Sequence, residues 1–385
     1  MIKTPLPSYD SNITDTILQL EHLRGRSTSS TMSPQLFAQL RDLFHIIEAL
    51  SSARIEGNYT TLAGFVEQRA QKDTRNTSDE STREILNLME GLDFIDQHIE
   101  DDLIDQAFIQ ELHRIVVKDL KREGDVRAGG WRDKDVSIAN SNHVTPSHYD
   151  VPDLMRELIF YINDSATDRE EVLKIAIAHH RFVWVHPFGN GNGRTVRLLT
   201  YAMLCKKGYI KPNSFRLFNP TSVFAKDRDK YYSMLERADT GTNEGLLEWS
   251  EYFLSGVKGK TEKTLRLADG EFIANKLLLP AVSRLNAAGV ITKLEANILD
   301  RAIRKQVIKA ADIANLWDKD ASPSTIANQI RKLRDAGFLV PTKEGGREYS
   351  INFIDNELTR LVLDQMDREK LLPINVDDLA KRKSD

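Results

Sequence analysis

Residues 179–205, HHRFVWVHPFGNGNGRTVRLLTYAMLC, gather the residue types best suited to chemistry on a phosphate. An apolar, helix-like run stops at His186 and Pro187, loops through glycines, and restarts before Arg197. Gly191, Asn192 and Gly193 lack bulky side chains, so their backbone N–H groups can converge on an anion, and the helix that follows adds its positive end. Arg194 and Arg197 lie three apart on that helix, so both guanidinium groups can reach one polyphosphate, each with bidentate geometry available. His186 stands just before this cradle, where a neutral imidazole can take a proton from an attacking hydroxyl. The glycines follow no clear strand and lack the full GxGxxG spacing, which argues against a dinucleotide fold. His179, His180 and His186 make no metal set, because adjacent side chains on a helix diverge and no cysteine or HExxH partner completes it. A packed His179 is expected.

On these residues the chain resembles the Fic family. HPFGNGNGRTVR is similar to the motif HPFx(D/E)GNGRxxR at every defining position except one, and ELHRIVV, AIAHHRFVWV, DRDKYYSMLERA and LLEWSEYFL resemble the surrounding domain, over roughly residues 40–257. The resemblance implies transfer of AMP from ATP to a Ser, Thr or Tyr hydroxyl of a protein, self-modification included. It makes His186 the base, Phe188 a core anchor, Gly191, Asn192 and Gly193 the phosphate nest, and Arg194 a clamp on the leaving phosphates. Asn190 stands where the family usually carries an acid that helps hold Mg²⁺. An amide oxygen brings no charge, so the ion would be held more weakly, mainly by ATP phosphates and water. That departure leaves two alternatives open: a different phosphate-containing donor, and a weakly active or inactive nucleotide-sensing domain within a transcription regulator.

Upstream, LSSARIEGNYTTLAGF reads by itself as a helix stopped at Gly57 and Asn58, with Thr60 or Thr61 capping the next. Ser52, Glu56 and Gly57 also resemble the family's inhibitory motif (S/T)xxxE(G/N). The resemblance implies that Glu56 pairs with Arg197 and obstructs the γ-phosphate, and leaves open a role for Glu56 in orienting water for AMP removal. Over 124–146, Gly124, Gly129 and Gly130 precede the strand-like WRDKDVSIA and an Asn-Ser-Asn turn, which predicts a hairpin. By resemblance this is a flap whose Val136, Ser137 and Ile138 dock a target segment by strand addition.

The elements that must position these residues are mostly helices. Leu36, Leu40, Leu43, Phe44 and Ile47 share one helical face, as do Ile85, Leu88, Leu92 and Ile95. The predicted fold is mainly α: a Fic-type helical core with a short β-hairpin flap, and a C-terminal winged helix-turn-helix. The expected divisions are an N-terminal helical region with the inhibitory helix (1–110), a catalytic core (111–257), a connecting segment (258–290), the winged module (291–355) and a charged tail (356–385). In the module, Ser324 is read as the cap of a recognition helix presenting Gln329, Arg331, Lys332 and Arg334, with Lys343 to Arg347 and the pair Gly345 and Gly346 as the wing turn. Between 301 and 350 there are 10 Lys or Arg against 6 Asp or Glu, a net of +4. That excess suits DNA, while such modules also serve protein contacts and homodimers.

Composition bounds the rest. The 385 residues are 41% hydrophobic and 29% charged with a net charge of -4, which describes a globular chain and names no partner. The single cysteine, Cys205, rules out an internal disulfide and suits a reducing cytoplasm as a buried thiol. No apolar run approaches the ~20 residues that span a bilayer, so no membrane partner is expected.

Overall fold

The computed structural model describes residues 2–25, 31–70, 79–138, 141–164, 168–211, 221–317 and 321–372. They divide into two compact units: residues 1–27, 45–59 and 77–262 form the first, and 28–44, 60–76 and 263–385 the second. The segment 1–110 is therefore not a region of its own. The helix Pro34–Ile55 gives its first part to the second unit and its last turns to the first.

The first unit is built around the helix Asn192–Lys206, which is buried over nearly its whole length. Asp168–Val185, Gln106–Val117 and Glu80–His98 pack around it. Gln106–Val117 starts at Asp105, whose carboxylate accepts from the Phe108 N–H at 2.8 Å, and buries Phe108, Ile109, Leu112 and Val116. Gly91 lets Glu80–His98 approach closely, since a Cβ there would lie 2.6 Å from Leu198 Cδ1. His179 is fully buried between the Thr200 hydroxyl at 2.7 Å and the Tyr231 hydroxyl at 2.9 Å, against Phe224 and Trp249. Cys205 is also buried.

The predicted hairpin over 124–146 is not formed among the described residues. Residues 131–138 contain no strand, and 139 and 140 lie outside the description. Side chains take the carbonyls a ladder would use: Arg132 donates to the Lys134 and Pro146 carbonyls, and the Thr145 hydroxyl donates to the Val136 carbonyl at 2.6 Å. Ser137 is exposed and Val136 and Ile138 half-buried, on irregular backbone.

In the second unit, residues 293–351 run helix (Lys293–Lys305), short helix (Ala310–Ile313), helix (Pro323–Asp335), then an antiparallel pair of strands, Leu339–Pro341 with Tyr349–Ile351. Ile351 faces Leu339 and Tyr349 faces Pro341 in register. The turn between them is tight, with the Gly346 N–H donating to the Lys343 carbonyl at 2.9 Å and Gly345 at φ +68°. The cap of Pro323–Asp335 is Ser322, not Ser324: its hydroxyl accepts from the Thr325 N–H at 3.2 Å, and Pro323 suits the first helical position because it lacks an N–H. Gln329 and Lys332 both bond to Glu295, at 3.0 and 2.7 Å, Lys332 from an exposed position. Glu295 also closes a capping box with Thr292, and despite burial these bonds hold its carboxyl at about 2.

Of the tail segment 356–385, residues 356–372 are packed, and 373–385 lie outside the described residues. Asn356 caps Glu357–Arg368, which buries Leu358, Val362, Leu363 and Met366. Among the described residues, no helix is long and apolar enough to cross a membrane.

Candidate active site

The site lies in the first unit, where Asp168–Val185 gives way to Asn192–Lys206. His186 ends the first helix at φ +51°, its N–H still donating to the Phe182 carbonyl at 3.0 Å. A β-carbon in left-handed conformation costs on the order of 1 kcal/mol or more, and the following Pro187 restricts the residue further. The neighbouring structure holds this geometry. Arg132 Nε donates to the His186 carbonyl at 2.8 Å, and the Arg132 N–H donates to the Pro187 carbonyl at 2.9 Å. His186 Nδ1 lies 3.3 Å from the Val183 carbonyl, which can only accept, so the proton sits on Nδ1 and Nε2 keeps its lone pair. Burial, aided by Arg132, lowers its pKa to about 4, so the ring is a neutral base near pH 7.

The loop from Phe188 to Gly191 is fastened from behind. Phe188 is buried and stacks on His113, ring centroids 3.6 Å apart. The Gly129 N–H donates to His113 Nδ1 at 2.9 Å, which places the proton on Nε2, and Nε2–H donates to the Asn190 carbonyl at 3.1 Å. Burial lowers the His113 pKa to about 4, so this ring too is neutral. Asp125 Oδ2 accepts from the N–H groups of Gly189 and Asn190, at 2.9 and 3.1 Å. The Asn192 amide clasps Phe188, accepting from its N–H and donating to its carbonyl. Asn190 Oδ1 accepts from the Gly191 N–H at 2.7 Å, and Gly191, at φ +74°, opens the helix. The Gly191 N–H is thus occupied, and the donors open to an anion are those of the helix's first turn.

At that helix start the two arginines meet two glutamates. Arg194 is 1% exposed and donates to Glu84 Oε1 at 2.8 Å and to the Glu123 carbonyl at 2.9 Å. Among the described residues its Nε has no hydrogen-bond partner. Arg197 donates from Nε to the Ser52 hydroxyl at 2.8 Å and from Nη2 to Glu56 Oε1 at 2.7 Å. Glu56 lies directly over the helix start, since a Cβ on Gly193 would be 2.3 Å from its Oε1. A carboxylate therefore sits where the helix end attracts anions. Burial raises the Glu56 carboxyl, but Arg197 and Arg194 outweigh it and hold the group below its usual range.

The chain delivers Glu56 by ending a helix. Gly57, at φ +97°, donates to the Arg54 carbonyl and Asn58 to the Ala53 carbonyl, the paired bonds of a glycine-terminated helix. The Asn58 amide then donates to Glu84 Oε2 at 2.7 Å, so Glu84 holds both Arg194 and the residue that follows the stop. Thr61 caps the next helix, accepting from the Gly64 N–H at 3.1 Å.

His186, Gly191, Asn192, Gly193, Arg197 and Glu56 thus lie at one junction. Arg194 is turned behind it, and the Asn192 side chain is a clasp rather than a donor to the cradle. Asn190 gives its oxygen to a backbone amide, and among the described residues no group of three or more His, Cys, Asp or Glu could hold a metal ion. His113, Asp125, Arg132 and Glu84 escape sequence reasoning. The one signal available was His113, a histidine on the otherwise apolar face of ELHRIVV.

Comparison with known proteins follows this geometry. Residues 103–204 match the model of the Fic/DOC family. The protein adenylyltransferase Fic of Drosophila mojavensis is 31% identical over 222 residues, 56% of this chain and 39% of that protein. The Drosophila melanogaster protein of the same name is also 31% identical over 222 residues, 40% of its length. The chain therefore matches about two fifths of these relatives. A Fic family protein from Desulfovibrio desulfuricans G20 has a similar fold, with a TM-score of 0.54 at 18% identity over 91% of this chain and 98% of that one.

Proposed function

We propose that the protein is an adenylyltransferase that moves AMP from ATP to a Ser, Thr or Tyr hydroxyl of a protein, and that Glu56 holds it in check. The observation that carries this reading is the Glu56 carboxylate seated over the Gly193 helix start and bonded to Arg197 at 2.7 Å, a few residues from a neutral His186. The protein adenylyltransferase relatives point to the same reaction. When Glu56 withdraws, Arg197 and the first-turn N–H groups receive phosphate oxygens, and charge building on the transferring group meets fixed donors. His186 Nε2 takes the target hydroxyl proton as that oxygen bonds to the α-phosphorus, and the bond to the pyrophosphate oxygen breaks.

The residues suit an Mg²⁺ that arrives on the nucleotide. Asn190 Oδ1 retains a second lone pair beyond its bond to Gly191, and Mg²⁺ commonly keeps substrate phosphates and waters as most of its ligands. When bound, the ion would neutralise charge on the leaving pyrophosphate. Val136, Ser137 and Ile138 remain the docking segment in this reading, in which a target strand displaces the Thr145 hydroxyl from the Val136 carbonyl and the Ser141 N–H from the Ile138 carbonyl. In the second unit, the order helix, short helix, helix and hairpin over 293–351 supports a winged helix. With Gln329 half-buried against Glu295, the cations offered to DNA would be the exposed Arg331, Lys332 and Arg334. A second copy of the chain, or the protein itself as target, also fits this reading, as does a cytoplasmic setting for the lone buried thiol.

The test is incubation of the wild type, Glu56→Gly and Glu56→Gly/His186→Ala with α-labelled ATP and cell lysate. Protein labelling should appear with Glu56→Gly and fall by about 10²–10⁴-fold in the double variant, the usual share of a positioned base. Absence of labelling by folded, ATP-binding Glu56→Gly would overturn the proposal.

A further inference from the structure

We infer that Arg132 is a positioning residue for the base: its guanidinium fixes the His186 peptide in its left-handed conformation and ties it to both ends of the flap segment. This rests on the adenylyl-transfer reading of the same site.

The Arg132 side chain is 2% exposed, yet it carries a full charge. Nε donates to the His186 carbonyl at 2.8 Å, Nη1 to the Lys134 carbonyl at 3.0 Å, and Nη2 to the Pro146 carbonyl at 2.5 Å and the Val185 carbonyl at 3.5 Å. Its acidic neighbour, Asp135, stands 3.6 Å away and is 68% exposed, a weak counter-charge. A cation is a costly way to fill space, because desolvation is large and an apolar side chain would pack there without it. What an apolar side chain cannot do is bind several carbonyls from three stretches of chain at once. Two of those carbonyls, Val185 and His186, belong to the negative end of Asp168–Val185, where a cation is favoured.

The consequence falls on His186. Its peptide bears positive φ ahead of a proline, a conformation that persists only when its surroundings enforce it. Arg132 grips the carbonyls on both sides of that proline link, one through Nε and one through its own N–H. It also adds positive charge beside the ring. The charged or titratable groups acting on His186 are Arg132, Glu56 and His143; Arg132 and His143 disfavour the imidazolium, and Glu56 favours it.

The experiment uses Glu56→Gly as parent and adds Arg132→Lys or Arg132→Met, measuring initial AMP transfer against ATP concentration and pH, with ATP binding followed by calorimetry. Both substitutions should lower kcat by about 10–100-fold through misplacement of the base, with KM for ATP changed less than about twofold. Arg132→Met should move the acid limb upward from its place in the parent, because the charge beside the ring is gone while burial, the larger cause, remains, whereas Arg132→Lys retains the charge and should hold the limb nearer its place. Parental kcat in folded Arg132→Lys, or a kcat loss matched by equal loss of ATP affinity, overturns the inference. If Arg132→Met does not fold, Arg132→Lys decides. If the parent itself transfers no AMP, the functional reading fails on its own, and NMR titration of the His186 ring in the same variants still judges Arg132: an unchanged midpoint in Arg132→Met rejects it.

Discussion

Arg194 and Arg197 leave one helix three residues apart and each meets a glutamate, at 2.8 and 2.7 Å, yet the pairs differ in their surroundings. Glu84 is 4% exposed in its pair and Glu56 28% exposed. Glu84 comes from the second turn of Glu80–His98, while Glu56 follows the last residue of Pro34–Ile55, at the stop made by Gly57. Burial raises the Glu84 carboxyl despite Arg194, whereas the arginines prevail over burial at Glu56. The comparison teaches that equal distances do not make equal roles. One pair is an internal fastening whose charges balance each other out of water, and the other is a contact that solvent, or another anion, can reach.

The largest test of this contrast is Arg194→Met, which leaves Glu84 buried without its cation. Breaking a buried pair by removing one partner costs about 3–5 kcal/mol, so urea unfolding should show a loss of that order, partly recovered by adding Glu84→Gln. Little change in stability would mean that Arg194 is as replaceable as a surface cation. Next comes Glu56→Gly, in which stability should fall by no more than about 1 kcal/mol while protein labelling rises on the order of tenfold, a typical coupling between sites. Equal labelling by wild type and variant would show that this carboxylate restrains nothing. The smallest effect is expected of Asn190→Asp in the Glu56→Gly background. A carboxylate oxygen binds a hard cation better than an amide oxygen, so the Mg²⁺ concentration for half-maximal labelling should drop by roughly threefold. An unchanged Mg²⁺ curve in folded protein would remove Asn190 from the metal's surroundings.

What was legible in the sequence was local. The junction at His186 and the glycine stop at Gly57 rest on short motifs whose residues lie at fixed spacing, whereas the pairing of Glu56 with Arg197, 141 residues apart, came only from the family resemblance. The fastenings behind the loop were hidden because their partners are remote in the chain: Glu84 is 110 residues from Arg194, and His113 is 77 from Asn190. No periodicity encodes such meetings. The hairpin failed for a related reason: alternation signals a strand only when another strand stands opposite, and here Arg132 and Thr145 use the carbonyls instead. Two misses were avoidable. Pro323 marks the residue before it as the cap, and Leu358, Val362, Leu363 and Met366 already trace a helical stripe through the charged C-terminal segment.

Glu56 is also, in effect, a tethered ligand. It is an anion covalently held near the receptor for anions, so its effective concentration is set by helix geometry and not by the cell. If Glu56 holds the site in check as proposed, a free phosphate compound binds only the fraction of molecules from which Glu56 has withdrawn, and its apparent affinity is diluted by that fraction. The occupancy of this helix start is therefore a competition, tunable by the stiffness of a single helix end at Gly57.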